Sequence, residues 1–437
     1  MILTLTISAT TIICLILSIL KYPYIQLKRW KIQSFFLVAL TGAAVLLTLG
    51  LIDGQEVAKV LFSNSPINPL KILVLFISVS ILSIVLDEVG FFSYMANQAL
   101  KLGKKNQTTL FVVLYAVISI LTVFTSNDIL ILTFTPFICA FAKRANINPI
   151  PYLVAEFVSA NTFSMMLSIG NPTNIYISSV YGISFFEYMK VMFVPTILAG
   201  FCAFLIVFLL FKKEFKKEIR VEAKEIMIKD KFVLVISLIH LILCTIILSI
   251  SSFLGVEMWL VCLGFAMSLM LILLVYGLIN KDLNVLKSSL RRAPWDLVPF
   301  VVSMFIIILA LDKYKVLHAT GEFLNRPTTS GLSTVLTYGL LSTLLSNVLN
   351  NIPMTLAVSK ILAALPEKLT SFGVYASIIG SNLGAYLTPI GALAGIMFTN
   401  ILSKENIEYK TRDFIKYGLV TVPFVLIAAL FGLLLVL

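Results

Sequence analysis

Charge is scarce in this sequence. Asp, Glu, Lys and Arg make up 12% of its 437 residues, whereas hydrophobic residues make up 59%. A soluble globular domain is typically about a quarter charged. The composition therefore excludes an ordinary soluble protein and indicates a chain that lies largely within a membrane.

The residue patterns that carry most enzyme chemistry are also missing. His240 and His318 show no metal-ligand spacing, and the chain has no GxxxxGK[ST], HExxH or GxSxG motif. Five cysteines are scattered through apolar segments without a CxxC pair, which is typical of core residues; they are Cys14, Cys139, Cys202, Cys244 and Cys262. We therefore predict that the chain is not an enzyme, whether P-loop or intramembrane, and has no resident cofactor or metal.

Apolar stretches long enough to cross about 30 Å of hydrocarbon recur along the chain. The clearest are 2–20, 34–52, 232–251, 258–278 and 420–437. The first stretch lacks a basic segment before it and a small-residue cleavage site after it, so we interpret it as a retained membrane helix rather than a signal peptide.

The distribution of basic residues predicts the topology. With the N-terminus outside, most of the 33 Lys and Arg residues fall in predicted cytoplasmic loops, namely 21–31, 101–107, 143–150, 212–231, 280–293 and 403–416. This asymmetry follows the positive-inside rule and explains the net charge of +12 without a nucleic-acid partner. We predict a multi-pass protein of the cytoplasmic (inner) membrane with both termini outside.

The chain contains an internal repeat. FTSNDILILTFTP and SANTFSMMLSIG in the first half correspond to LLSNVLNNIP and GSNLGAYLTPIG in the second. The paired positions, 220 or 221 residues apart, are Ser126-Asn127 with Ser346-Asn347, Asn161 with Asn382, and Gly170 with Gly391.

The parity of the repeat predicts the fold class. If each Ser-Asn element is the tip of a re-entrant hairpin, each half has five membrane crossings, and an odd number inverts the second half. We predict an all-α polytopic membrane protein with two inverted-topology repeats, each of five transmembrane helices (one broken) plus a re-entrant hairpin. The predicted segments are 1–211 (scaffold helices 1–100, hairpin 108–142, broken helix 151–180, helix 185–211), a cytoplasmic linker 212–231, and 232–437 (scaffold helices 232–311, hairpin 330–364, broken helix 373–400, helix 417–437).

Two polar interruptions predict broken helices. SIGNPTN (168–174) cannot continue a helix, because Pro172 lacks an N–H and Gly170 is permissive, and TPIG (388–391) is its counterpart. Paired interruptions of this kind indicate a transporter binding site, since broken ends expose N–H and C=O groups. A kink used only for packing is the alternative. The predicted substrate-binding residues at the tips and breaks are Ser126, Asn127, Asn161, Gly170, Asn171, Thr173, Asn347, Asn350, Asn351, Asn382, Thr388 and Gly391.

Four carboxylates within apolar surroundings are candidates for proton or cation coupling. Asp128 lies at the first tip, where helix capping is the alternative. Asp87 and Glu88 lie mid-segment if their helix continues to Leu100. Glu156 is placed near the cytoplasmic mouth, where a surface role fits equally well.

Six segments together resemble the arsenite/antimonite efflux pumps, a family of the ion transporter superfamily that includes sodium–dicarboxylate carriers and sodium/proton antiporters. They are LDEVGFF (86–92), TSNDILILTFTP (125–136), SIGNPTN (168–174), RRAPWDLVPFVVSMFIIILAL (291–311), LSNVLNNIP (345–353) and GSNLGAYLTPIGALAG (380–395). The resemblance spans nearly the whole chain.

The resemblance implies a transport part that moves against a scaffold, elevator fashion, and exports trivalent arsenic or antimony hydroxides using the proton motive force. It also implies two partners, a second copy of the chain and a soluble ATPase subunit. Asp128 stands where dicarboxylate carriers have Thr, which weakens the dicarboxylate interpretation. No cysteine falls in a predicted site element, so capture of arsenic by thiolates is not supported.

Two alternatives stay open at this point. A sodium/proton antiporter, or a sodium- or proton-coupled carrier of organic or inorganic anions, would use the same elements, with Asp128 and amide oxygens holding a sodium ion. A structural or channel-like protein is disfavoured, because an inverted repeat with broken helices is typical of alternating access.

Overall fold

The computed structural model describes residues 1–22, 24–27, 30–63, 68–103, 106–216 and 227–437. Nine helices in these ranges are long and apolar enough to cross a membrane. The all-α polytopic membrane fold predicted from composition is confirmed. Most of the predicted linker 212–231 lies outside the described residues.

The first half of the described chain is helical apart from one short hairpin of antiparallel strands. Its elements are α1 (Ile2–Lys21), β1 (Tyr24–Leu27), β2 (Trp30–Gln33), α2 (Ser34–Thr48), α3 (Gly54–Leu61), α4 (Pro69–Glu88), α5 (Phe91–Gly103), α6 (Gln107–Phe124), α7 (Asn127–Ala145), α8 (Ile150–Phe163), α9 (Pro172–Val180) and α10 (Phe185–Phe211). The β-hairpin lies where the sequence predicts only a cytoplasmic loop.

The second half repeats this order of helices without the strands. Its elements are α11 (Lys231–Ile250), α12 (Met258–Ile279), α13 (Asn284–Arg292), α14 (Leu297–Lys313), α15 (Val316–Asn325), α16 (Gly331–Leu349), α17 (Asn351–Leu362), α18 (Glu367–Gly384), α19 (Leu393–Lys404) and α20 (Thr411–Leu434). Each half therefore supplies ten helices in matching order.

The contacts between the halves are reciprocal. Helix α2 packs on α14 as α12 packs on α4, and α7 packs on α19 as α17 packs on α9, while α10 packs on its own counterpart α20. Such an exchange of partners is what a two-fold relation between the halves produces. With five crossings in each half (α1, α2, α4, the interrupted pair α8–α9, and α10 in the first), the relation inverts the second half, as predicted.

Side-chain caps set where the helices begin. Asn68 caps α4, accepting from the backbone N–H groups of Leu70 and Lys71, and Pro69 occupies the first helical position. The other end of α4 differs from the prediction. The helix stops at Glu88 and does not continue to Leu100, because the chain turns through Gly90 at a φ of 84° before α5 begins.

The register of the repeat at the hairpin tips also differs from the prediction. Helix α7 begins at Asn127, but α17 begins at Asn351 rather than beside Asn347, which lies in the last turn of α16. The structural counterpart of Asn127 is therefore Asn351. The pairing failed because LSNVLNN places asparagines at three nearby positions, and the dipeptide match selects the earliest.

The crossing of α10 and α20 joins the two halves, and it depends on a small residue. A Cβ on Gly432 would lie 2.9 Å from the Cα atom of Pro195 in α10. We expect Gly432→Ala to force these helices apart, because overpacking costs about 1–3 kcal/mol. The melting temperature of the detergent-purified protein should fall relative to Gly264→Ala, since a Cβ on Gly264 of α12 meets nothing within 4 Å. Equal melting temperatures would contradict this account of the crossing.

Candidate functional site

The first broken helix is interrupted over residues 164–171, between α8 and α9. Asn171 caps α9 by accepting from the backbone N–H of Thr173 at 3.2 Å. The end of α8 is covered by Asn174, whose side-chain amide donates to the Ser164 carbonyl at 2.9 Å. Gly170 packs directly on the same carbonyl, so any Cβ there would collide with it. The break therefore begins four residues before Ser168 and contains only the first part of the predicted SIGNPTN segment, since Pro172 already opens α9.

The second broken helix is interrupted over residues 385–392, between α18 and α19. Asn347 of α16 holds the ends of this segment together. Its side-chain amide donates to the Gly384 carbonyl at 3.0 Å, and its Oδ1 accepts from the Thr388 hydroxyl at 2.7 Å. A Cβ on Gly391 would lie 2.9 Å from the same Oδ1. The side chain of Asn347 thus replaces helical hydrogen bonds that the break removes.

Asn382 connects the two breaks. Its Oδ1 accepts from the Ser164 hydroxyl at 3.1 Å and from the Asn171 amide at 3.2 Å, and its Nδ2 donates to Asn174 Oδ1 at 2.7 Å. All four side chains are buried. The Ser381 hydroxyl adds a bond to the Thr173 hydroxyl at 3.0 Å. The two interrupted helices are therefore one hydrogen-bonded unit.

The first tip carries the only carboxylate among the described residues at the two hairpin tips. The Asn127 amide donates to Asn161 Oδ1 at 3.0 Å, which fixes the tip against α8. Ser126 is buried, and its hydroxyl has no partner within the described chain. Asp128 is partly exposed, and within the same residues its carboxylate has no hydrogen-bond or ion-pair partner.

The second tip is a single residue, Asn350, between α16 and α17. Its φ of 70° and ψ of 153° lie in a region that is essentially restricted to glycine. Two bonds hold it there: the Asn350 amide donates to the Ile390 carbonyl at 3.0 Å, and the Asn351 N–H donates to the Gly391 carbonyl at 3.1 Å. The second tip is thus fastened to the second break.

Four helix N-termini meet at one small cavity. Helices α7, α9, α17 and α19 begin beside it, and its wall includes Asn127, Asn171 and Asn351. The free N–H groups of a helix N-terminus carry partial positive charge and attract oxygen atoms. None of the described residues that line the cavity is basic. Asp128 also lines the cavity, so the site presents helix dipoles, amides and one carboxylate to any group that enters it.

A larger vestibule, with a volume of about 360 Å³, leads from the first tip to α13 and α14. Ser126 and Asp128 lie on its wall with Arg291, Arg292 and Asp296. The sequence does not identify the arginines as site residues, because they lie in a predicted cytoplasmic loop rather than in a polar interruption.

The remaining predicted carboxylates lie apart from the cavity. Asp87 and Glu88 each accept from the guanidinium group of Arg292, at 2.5 Å in both cases. Glu156 is completely buried, and its Oε1 accepts from the Thr135 hydroxyl at 2.9 Å. The alternative of a surface role for Glu156 is therefore wrong, because α7 covers α8 at this level. The coupling roles of all four carboxylates stay predictions.

Three residues of the amide network are missing from the predicted set: Ser164, Asn174 and Ser381. Asn174 lies within the SIGNPTN segment itself. Ser381 directly precedes Asn382, so its position in the sequence could have indicated that it belongs to the site. Ser164 carries no comparable signal, because it lies before the segment in which the sequence predicts the break.

These features define a class of protein, a polytopic membrane transporter with inverted repeats and broken helices. Residues 29–376 match the family described as CitMHS: Citrate transporter. Since the match covers most of the chain, the protein belongs to this family.

Curated relatives agree with this assignment. Over 368 residues the chain is 28% identical to the arsenical pump membrane protein of Escherichia coli (strain K12), an alignment that covers 81% of this chain and 84% of that protein. It is 25% identical over 426 residues to the 46 kDa membrane protein of Mycobacterium leprae (strain TN), covering 90% and 92%. The predicted resemblance to the arsenite/antimonite efflux pumps is confirmed.

A solved structure has a similar fold. The crystal structure of the Alcanivorax borkumensis YdaH transporter, described as having an unusual topology, matches with a TM-score of 0.55 over 92% of this chain and 96% of that one. At 12% sequence identity, this likeness shows the fold alone.

The link between the two breaks yields a prediction about stability. Asn382→Ala leaves three buried partners, Ser164, Asn171 and Asn174, without one of their hydrogen bonds. We expect a loss of about 2–4 kcal/mol in the free energy of unfolding, because unsatisfied buried groups cost about 1–3 kcal/mol each. Thermal unfolding of the purified protein measures it. Asn280→Ala is the control, since the Asn280 amide bonds only to an exposed backbone carbonyl of its own helix.

The second tip yields another prediction. At position 350 a glycine variant should be more stable than an alanine variant. Within a helix the order is the reverse, because glycine is the poorer helix former. Asn350→Gly loses the bond to Ile390 but relieves a strained backbone, whereas Asn350→Ala loses the bond and keeps the strain. We expect the glycine variant to be more stable by about 1–3 kcal/mol. The melting temperatures of the two purified variants measure this difference. An alanine variant as stable as the glycine variant would show that the backbone at position 350 is not strained.

Proposed function

We propose that this protein is a secondary transporter that exports trivalent metalloid hydroxides, arsenite and antimonite, across the cytoplasmic membrane. The observation that carries the proposal is the meeting of four helix N-termini and three asparagines at a cavity whose described lining has no basic residue. Near neutral pH arsenite is an uncharged trihydroxide. Its oxygens accept from N–H groups and its hydroxyls donate to amide oxygens, since carboxamides do both.

The relatives support the choice of substrate. The E. coli relative is named as an arsenical pump membrane protein, and the alignment covers 81% of this chain and 84% of that protein. That relative's substrate is carried over here as part of the proposal.

Asp128 is the group we assign to coupling with the proton motive force. Its carboxylate lies at the first tip, faces the vestibule and has no charged partner among the described residues. A carboxyl group so placed can exchange a proton with the vestibule and change the charge beside the cavity. The site then carries the substrate outward and the proton inward in alternate steps.

The amide network supports movement of the site as one body. Both breaks and both tips are joined by side-chain hydrogen bonds, so they retain their geometry together. Between this unit and α4 and α14 lies an apolar surface that includes Ile72, Phe76, Val301 and Leu356. A rigid polar unit against an apolar wall favours an elevator motion. With both termini outside, the vestibule faces the cytoplasm.

A second candidate is a sodium- or proton-coupled carrier of anions such as citrate, or a sodium/proton antiporter. The family description and the position of Arg291 and Arg292 in the vestibule favour it. In that case Asp128 and nearby amide oxygens would hold a sodium ion. The homodimer and the soluble ATPase subunit stay predictions.

Everted membrane vesicles test the proposal. With an imposed inside-acid pH gradient, wild-type vesicles should accumulate arsenite, and Asp128→Asn should reduce the initial rate at least about tenfold, because the tip can no longer change charge. Asp296→Asn, on the same vestibule wall, is the matched control and should retain uptake.

Each other outcome has its own meaning. Uptake that persists in Asp128→Asn keeps the substrate and removes Asp128 from the coupling mechanism. If energised vesicles with folded protein take up no arsenite, the metalloid proposal fails. Sodium-dependent uptake of citrate in the same vesicles would then support the second candidate.

A further inference from the structure

Arg292 forms a compact ion cluster between the two halves of the chain. From the end of α13 its guanidinium group reaches the end of α4, with Nη2 bonded to Asp87 and Nη1 bonded to Glu88. The two carboxylates are 9% and 14% exposed, and the Arg292 side chain is 36% exposed. Partly buried charges of this kind are screened less than surface charges.

The cluster is held in place from two other directions. The hydroxyl group of Thr133, on the first hairpin, donates to Asp87 Oδ1 at 2.7 Å. The Lys229 ammonium group donates to the Glu88 carbonyl at 2.9 Å, and its backbone N–H donates to the Val89 carbonyl. These hydrogen bonds therefore hold Asp87 and the end of α4 in place beside Arg292.

The two carboxylates balance the cations of the cluster. Asp87 and Glu88 face the Arg292 guanidinium and the Lys229 ammonium, so the cluster as a whole is neutral. The wall itself carries Arg291 with Asp128 and Asp296. Without Asp87 and Glu88, Arg292 would stand unneutralised beside Arg291, and the two aspartates of the wall would no longer outnumber its cations. The vestibule also ends at four helix N-termini, and a positive potential in a cleft concentrates anions.

We propose that Asp87 and Glu88 determine specificity by neutralising Arg292, so that the vestibule admits uncharged substrates and repels anions. The proposal deepens the proposed function and rests on it for the identity of the uncharged substrate. It gives these carboxylates a role other than proton coupling. Both already have a cationic partner, whereas Asp128 has none among the described residues.

The test measures the electrostatic potential of the vestibule without using a substrate. A cysteine is placed on the vestibule wall by Met397→Cys, in a variant whose five native cysteines are replaced by serine. Its reaction rates with a cationic and an anionic methanethiosulfonate reagent are compared in the full-length protein in detergent. The ratio of the two rates reports the local charge.

In the Asp87→Asn, Glu88→Gln double variant the ratio should shift towards the anionic reagent by at least about tenfold, because two negative charges are lost and Arg292, on the vestibule wall, is no longer neutralised. Adding Arg292→Gln should reverse most of the shift. Glu257→Gln, which removes an ion pair with Lys71 elsewhere, is the control and should leave the ratio unchanged. The triple variant removes the Arg292 charge together with both carboxylates, so it covers the case in which the double variant does not fold.

A transport measurement separates failure of this inference from failure of the proposed function. Citrate should inhibit arsenite uptake by everted vesicles in the double variant and not in the wild type. An unchanged reagent ratio overturns the inference whatever the vesicles transport. Loss of proton-driven uptake with an unchanged ratio also overturns it, and returns Asp87 and Glu88 to a coupling role. Absence of arsenite uptake in the wild type rejects the proposed function and leaves the ratio as a valid measurement.

Discussion

A backbone N–H or C=O group without a hydrogen bond is expensive in hydrocarbon, and this constraint governs the centre of the protein. Two helices are interrupted there, so each leaves groups that the helix would have satisfied. Asn174 covers the end of α8, Asn347 covers the end of α18, and Asn350 binds a carbonyl of the second break. Carboxamides suit this role because they donate and accept without bringing charge into the membrane. The cavity at the four helix N-termini can exist because these side chains make hydrogen bonds that the missing helical turns would otherwise have made.

The two halves share an architecture but not their charge. Asp128 follows the first residue of α7, and its counterpart after the first residue of α17 is Ile352. Glu156 lies five residues before Asn161, and Ser377 stands at the matching place before Asn382. At these two matched positions, the ionisable groups thus belong to the first half. The two copies share the order of their helices but differ in charge at these positions.

Much of this could be predicted from the sequence, because it depends on local patterns. Apolar length predicts the spans, Gly and Pro predict the breaks, and the spacing of Asn161 and Asn382 predicts that the halves correspond. The vestibule could not be predicted, because Arg292 meets Asp87 across 205 positions of sequence. The predicted register of the second tip is wrong because LSNVLNN contains three asparagines that could each match Asn127. Local sequence predicts where a helix breaks, whereas tertiary contacts decide which charges face the opening.

The two hairpin tips differ in how tightly hydrogen bonds hold them. The second tip is one residue in a strained conformation, fastened to the second break, so α16 and α17 cannot slide past each other without losing that attachment. The first tip has two residues, Thr125 and Ser126, between its helices, and its carboxylate neighbour faces open space. The second tip is therefore held to its break by two hydrogen bonds, whereas the first tip is held to α8 by the single bond between Asn127 and Asn161. The less tightly held tip is thus the one that borders the vestibule and carries Asp128, the residue to which we assign proton coupling.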